Sequence, residues 1–352
     1  MHTLTESGSA PDGVMPAGTK LARVAVAGAT GYTGQELLRI LSRHPAVTLT
    51  AAMSSGTTAS RTLPALARLW NGDIVPLAPE LLREADAVFL ALPDAAAAGL
   101  APDLIDAGVR VIDLSGAFRL RDAAERARWY PETRRIPSGL AYGLTELERA
   151  AVVDAHLVAN PGCYPTATLL ALAPLAAAGV LTPNSDIVVD AKSGVSGAGK
   201  TPSERTHFSE IQGSLSAYGV FGHRHGVEIQ QGVNHSGDDS HTVTFVPHLL
   251  PIDRGILATI YVRLTPGIGE DALNDIYQRA YGTAPFIRLT GPALPEIKHV
   301  THTNFCDVGW RVDGSGRAVI VSVIDNLLKG ASGQAVQNLN VMLGIDERTG
   351  LW

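Results

Sequence analysis

The chain has 352 residues, 45% hydrophobic and 18% charged, with a formal net charge of −6. That length exceeds one typical domain and suits two, with a core large enough to need no disulfides. The mildly acidic balance gives no global attraction to nucleic acid; two cysteines make no disulfide framework and point to a reducing, cytoplasmic setting; and no apolar run is long enough to span a bilayer.

Residues 1–20 are rich in Ser, Gly and Pro without an apolar run, and are expected to form a disordered tail rather than a signal peptide or anchor. Order is predicted from Ala22, where a β-branched strand runs into Gly28-Ala-Thr-Gly-Tyr-Thr-Gly34 and then into a helical pattern from Gln35 to Leu41. Strand, glycine turn and helix in that order is a variant of the dinucleotide fingerprint. Its glycines permit a tight turn and let a pyrophosphate approach the helix N-terminus. Gly28, Thr30, Gly31, Tyr32, Thr33 and Gly34 are therefore candidate cofactor residues.

The second strand, Val47 to Met53, should end beside the adenosine ribose. A site built for NAD places an acid there, whereas this chain has Ser54, Ser55 and, shortly after, Arg61. Hydroxyls and a guanidinium suit a 2′-phosphate, so NADP(H) is favoured over NAD. A third strand ends at Leu92-Pro93 and a fourth at Ser115, each preceded or followed by helical sequence, as a parallel sheet requires. Ligands bind beyond the C-terminal ends of such strands, which makes Leu92, Pro93 and Ser115 candidates. Arg119 is either an anion clamp or a surface arginine paired with a carboxylate.

The sequence then concentrates its chemistry in Val158-Ala-Asn-Pro-Gly-Cys-Tyr-Pro-Thr166. Asn160, Pro161 and Gly162 form a turn and an Ala/Leu-rich helix follows, so Cys163 is expected just before a helix N-terminus. The helix dipole and free N–H groups there should lower the thiol pKa and hold an oxyanion. Downstream, the segment from Asp186 to Lys192 reads as a strand leading into Ser193-Gly-Val-Ser-Gly-Ala-Gly-Lys200, where small residues, Ser193, Gly194 and Gly197 among them, let amides approach an anion. Gly194, Gly199, Lys200 and Thr201 also meet the Walker A spacing, but Pro202 follows at once and a dinucleotide turn already exists at Gly28, so a cofactor or substrate loop ranks above a nucleotide triphosphatase.

His223 and His225 are separated by one residue, with no further ligand at metal spacing, so no metal site is expected. General acid/base work by one of them is more economical, with Glu228 placed to orient it. Later strands at 241–248, 256–264 and 317–324 follow one another with few helices, and a last helix covers Ala331 to Leu343. The expected fold is α/β: a Rossmann-type parallel-sheet domain over 21–162 and 330–352, and an α+β catalytic and oligomerisation domain over 163–329 with a mainly antiparallel sheet.

These residues together resemble one family. The glycine turn, the cysteine motif, His223-Arg-His225 with Glu228, Phe245-Val-Pro-His-Leu-Leu-Pro-Ile-Asp-Arg-Gly255 and Asp325-Asn-Leu-Leu-Lys-Gly-Ala-Ser-Gly-Gln-Ala335 are similar to those of the N-acetyl-γ-glutamyl-phosphate reductases, relatives of aspartate-semialdehyde dehydrogenase. The resemblance implies an NADP-linked reduction of an acyl phosphate to a semialdehyde and phosphate, through a thioester on Cys163. It further implies that Asn326 and Gly330 contact the cofactor, that Arg119, Asn160 and Lys192 serve substrate or phosphate, and that the protein is a homodimer or homotetramer. The family usually has proline before the glutamate of the histidine motif; Val227 stands there. Two other readings remain: a reductase of another acyl phosphate such as aspartyl phosphate, and a non-catalytic NADP sensor.

Overall fold

The structure is a computed structural model and describes residues 22–54, 62–237 and 241–352; the expectations for residues 1–20, Ser55 and Arg61 lie outside the described residues. The first sheet has seven strands: β1 (Ala22–Ala27), β2 (Val47–Met53), β3 (Ile74–Val75), β4 (Ala87–Leu90), β5 (Arg110–Asp113), β6 (Leu140–Tyr142) and β7 (Leu157–Ala159). Their order is β3-β2-β1-β4-β5-β7-β6, and every pairing is parallel. Strands of such a sheet are covered on both faces and read as continuous apolar runs. β4 and β7 are buried throughout, and β1 at every position but Arg23.

The second sheet is formed by β8 (Asp186–Gly194), β9 (Ser216–Ala217), β10 (Thr242–Leu250), β11 (Ile256–Arg263), β12 (Ile287–Gly291), β13 (Cys306–Val312) and β14 (Arg317–Ile324). Its order is β12-β13-β14-β11-β8-β10-β9; β8/β10 and β12/β13 run parallel and the remaining pairs antiparallel. Burial alternates along β8 and β11, the signature of a sheet with one packed face. Strands β3, β6, β9, β12 and β13 carried no clear pattern in the sequence. Three have two or three residues, and β13 contains Asp307 and Gly309.

The helix Cys163–Ala177 joins the two sheets. It is buried on nearly every side from Tyr164 to Ala176, and its leucines share a core with β8, β11 and β14. Because it leaves β7 through the turn Asn160–Gly162, Cys163 lies where one sheet hands over to the other. The chain then returns: Leu328 and the helix Gly333–Met342 pack with β1 and Leu37, Leu38 and Leu41 of the Tyr32–Leu41 helix in the core of the first sheet.

Candidate active site

The C-terminal ends of four parallel strands face the junction. β1 leads to Gly28, β4 leads to Leu92 and Pro93, β5 leads through a loop to Arg119, and β7 leads to Cys163. A cleft of about 550 Å³ is lined by all of these residues together with His225, Asn326 and Gly330. Thr30, Gly31, Tyr32, Thr33, Gly34, Asn160 and Gly197 also line it.

The glycine turn fits a dinucleotide. Gly28 has φ +89°, and a Cβ there would lie 2.0 Å from the Ala91 carbonyl oxygen, while a Cβ on Gly34 would lie 2.2 Å from the Gly28 oxygen. Only glycine permits this close turn. The helix beginning at Tyr32 has neither a side-chain cap nor an acidic residue in its first turn, so its free N–H groups and positive dipole end face the cleft. Ser54 is buried at the end of β2 with its N–H donating to Val75, and does not line the cleft.

Cys163 is the first residue of its helix rather than the residue before it. The expected fall in its pKa is overturned. Burial pushes the thiol up to about 11, although the Arg119 charge and the N–H groups of Tyr164 and Cys163 act in the expected direction. Loss of water outweighs a helix start and one cation, so the thiolate needs a base to form.

His225 supplies an imidazole beside the turn. A Cβ on Gly162 would lie 2.5 Å from His225 Nε2 and 3.0 Å from Arg119 Nη1, so both side chains press against the residue preceding the cysteine. Burial, and then the charges of His223, Arg119 and Arg224, hold His225 well below its ordinary pKa, which keeps the ring neutral and makes it a weaker base than a free imidazole. His223 is engaged differently. It caps the helix Arg224–Ser236, its Nδ1 accepting from the His225 N–H at 3.1 Å, and its ring packs edge-on against Tyr164, Tyr218 and Phe245. Burial and Arg224 depress its pKa to about 4. Val227 lies in the first helical turn, which forms without a proline. Beyond it a separate cleft of about 640 Å³, bordered by Trp129, Phe221, Val227 and Phe245, contains neither the cysteine nor the glycine turn.

Glu228 does not orient a histidine. Its Oε1 accepts from the Gly162 N–H at 2.9 Å and from the Tyr142 hydroxyl at 2.7 Å, and its Oε2 lies 3.5 Å from Arg119 Nη1. It braces the cysteine turn and the arginine instead. Arg119 is buried in the site, donating to the carbonyls of Asn160 and Leu114 at 2.8 Å, which settles its place against the surface alternative. Asn160 lines the cleft, but both ends of its amide are engaged, with Asn338 and with the Ala331 carbonyl, both at 3.1 Å.

Other expected residues fall outside. Lys192 pairs with Asp190 at 2.6 Å on the sheet face of Val188 and does not line the cleft. A two-residue spacing along β8 put it on that face, away from Cys163. Ser115 donates to Asp113 Oδ2 at 2.7 Å and shapes the loop before Arg119. Ser193 and Gly194 lie behind the cleft; a Cβ on Gly194 would meet the Asp253 carbonyl at 2.5 Å, so this glycine serves packing. Conversely, Ser196, Lys200, Thr201 and Arg224 line the cleft and were not singled out as site residues. Lys200 Nζ reaches the Thr30 carbonyl at 3.4 Å, and Arg224 pairs at 2.6 Å with Asp94, next to Pro93. The Walker-like spacing held a hint of Lys200, and the position between two histidines a hint of Arg224. Among the described residues no cluster suits a metal ion.

Comparison with known proteins agrees with this geometry. Residues 23–155 match the family model "Semialdehyde dehydrogenase, NAD binding domain", and residues 163–326 match "Semialdehyde dehydrogenase, dimerisation domain". Aspartate semialdehyde dehydrogenase II from Vibrio cholerae shares the fold, with a TM-score of 0.70 and 19% identity over 92% of this chain and 98% of that one. So does an aspartate semialdehyde dehydrogenase with NADP from Candida albicans, with a TM-score of 0.66 and 16% identity over 91% of this chain and 98% of that one. The N-acetyl-gamma-glutamyl-phosphate reductase of Syntrophobacter fumaroxidans is 44% identical over 94% of this chain and 97% of its own length. That of Geobacillus kaustophilus is 46% identical over 93% and 97%, and that of Bacillus subtilis 44% over 94% and 98%. With Cys163, a neutral imidazole, a buried arginine and a glycine turn in one cleft, and identity at this level along nearly its whole length, the chain belongs to the N-acetyl-gamma-glutamyl-phosphate reductase family.

Proposed function

We propose that this protein reduces N-acetyl-γ-glutamyl phosphate to N-acetylglutamate 5-semialdehyde and phosphate, using NADPH, in arginine biosynthesis. The observation that carries the reading is Cys163 at a helix start, in the same cleft as His225, Arg119 and the glycine turn. His225, neutral and beside the cysteine turn, accepts the Cys163 proton as the sulfur attacks, because a thiol raised to about 11 and a ring of lowered basicity do not form the ion pair in advance of attack. The sulfur attacks the acyl carbon while the N–H groups of Cys163 and Tyr164, at the open start of the helix, hold the developing oxyanion. Phosphate departs toward the Arg119 guanidinium, kept in place by Glu228 and two carbonyls, and leaves a thioester on Cys163.

When bound, NADPH supplies the hydride that reduces this thioester. Cys163 then leaves as thiolate when the aldehyde carbonyl forms, and regains its proton from His225. The cofactor would be held by Gly28, Thr30, Gly31, Tyr32, Thr33, Gly34, Leu92, Pro93, Gly197, Asn326 and Gly330, with Ser55 and Arg61 reading the 2′-phosphate. This reading divides the chain as 21–162 plus 330–352 and 163–329; most residues of the two cores follow that division, with Leu144 and Leu328 crossing it.

The protein works as a homodimer or homotetramer in the cytoplasm. The dimerisation-domain match supports the first point, as does the sheet face that leaves Tyr261 44% exposed. Among the described residues no helix is long and apolar enough to cross a membrane. The test is the reverse reaction: N-acetylglutamate semialdehyde, phosphate and NADP should yield NADPH, and aspartate semialdehyde should not. Equal turnover of the two aldehydes, or none of either, refutes the assignment; none of either alongside intact NADPH binding would indicate a sensor.

A further inference from the structure

Lys329 is fully buried, which costs a charged side chain its hydration unless a partner replaces it. Its Nζ donates to Glu146 Oε1 at 2.6 Å and to Gln337 Oε1 at 2.8 Å, and Gln337 donates in turn to the same Glu146 oxygen at 2.8 Å. Burial by itself would raise the Glu146 carboxyl, but the Lys329 ammonium, the Gln337 amide and the Glu146 N–H together more than offset it and hold that carboxyl below its ordinary range.

The lysine belongs to a π-helical turn, Leu328–Ser332, in which the Gly330 N–H bonds back to Asp325 and the Ser332 N–H to Leu327, both at 2.9 Å. Such turns are rare and recur at functional sites. The residues after Lys329 meet three parts of the reaction centre in succession. A Cβ on Gly330 would lie 2.8 Å from Cys163 Cβ, so the backbone itself walls the nucleophile. The Ala331 carbonyl accepts from Asn160 in the cysteine turn at 3.1 Å, and the Ser332 hydroxyl donates to Thr33 of the glycine turn at 2.9 Å.

We infer that the buried Lys329–Glu146 pair is a positioning device: it anchors the π-turn so that Gly330, Ala331 and Ser332 set Cys163 relative to the cofactor turn. Neither residue lines the cleft, and replacing a buried ion pair with well-packed apolar residues is often neutral or stabilising, so stability alone does not account for the pair. What the charges add is a single register for the turn.

The inference rests on Cys163 as the nucleophile, and two arms of the test keep it separate from the assigned reaction. Glu146→Gln and the double variant Glu146→Leu/Lys329→Met are compared with wild type for melting temperature, kcat and KM in the reverse reaction, and rate of iodoacetamide alkylation at Cys163. A variant that melts cooperatively near the wild-type temperature should show kcat lowered about tenfold or more, KM changed less than kcat, and an altered alkylation rate. Wild-type kcat and alkylation in either folded variant overturn the inference, and so does failure of both variants to fold, which would make the pair purely structural. If the wild-type protein reduces no acyl phosphate the assigned reaction fails, and the alkylation arm still decides the role of the pair.

Discussion

Replacing Gly162 with alanine tests the geometry of the site directly. The residue has φ −66° and ψ 153°, which alanine adopts without strain, so the backbone should tolerate the change. The added methyl carbon would stand 2.5 Å from His225 Nε2 and 2.8 Å from its Cδ2, where ordinary contact begins at 3.4 Å. The imidazole is thus about 0.9 Å short of room. Arg119 Nη1, at 3.0 Å, is short by about 0.4 Å. A displacement near 1 Å between a base and its partner lowers turnover by about a hundredfold, whereas crowding a packed site by one methyl costs about 1–3 kcal/mol of stability. Gly162→Ala should therefore remain folded, bind NADPH with near wild-type affinity by fluorescence titration, and lose about two orders of magnitude in kcat. Wild-type kcat would refute the placement of His225 against the cysteine turn, and so would a loss confined to NADPH binding.

Three further outcomes are expected. His225→Asn should lower kcat by about two to four orders of magnitude and abolish the corresponding limb of the pH–rate profile, while His223→Asn, which keeps a helix-capping side chain, should retain most activity; the reverse pattern would exchange the two roles. The fold holds His223 at about 4 against an ordinary 6.5, so the stability contributed by its neutral ring is complete above about pH 6.5 and is lost as pH falls from there through 4; melts of His223→Asn should decline less steeply than wild type over that window. Cys163→Ser should abolish turnover and alkylation but leave NADPH binding intact, whereas Cys306, buried, hydrogen-bonded to Ser322 and pushed up to about 12, should be dispensable; mass spectrometry of the alkylated protein checks which thiol reacts. The absence of an acid at the end of β2 predicts a preference for NADPH over NADH, eroded by Arg61→Glu, and equal use of both cofactors by the wild type would contradict it.

Local chemistry carried much of this protein openly in its sequence. The spacing of Gly28, Gly31 and Gly34 after a buried strand announces a dinucleotide turn, and at Gly28 and Gly34 no larger residue fits. The turn residues around Cys163 announce a cysteine at a helix start, and alternating strand and helix patterns announce a parallel sheet followed by a more antiparallel one. All are short-range constraints, readable from neighbours in the chain. Tertiary structure alone decided the rest, since it depends on distances between residues far apart in sequence. Lys192 and Arg119 were equal candidates for the phosphate until β8 turned one to the far face of its sheet and the loop after β5 buried the other beside Cys163. Glu228 was three residues from His225, yet it bonds Gly162 and Tyr142 and pairs with Arg119. The thiol pKa reversed its expected direction because desolvation is set by everything packed around a group, and no local motif records that.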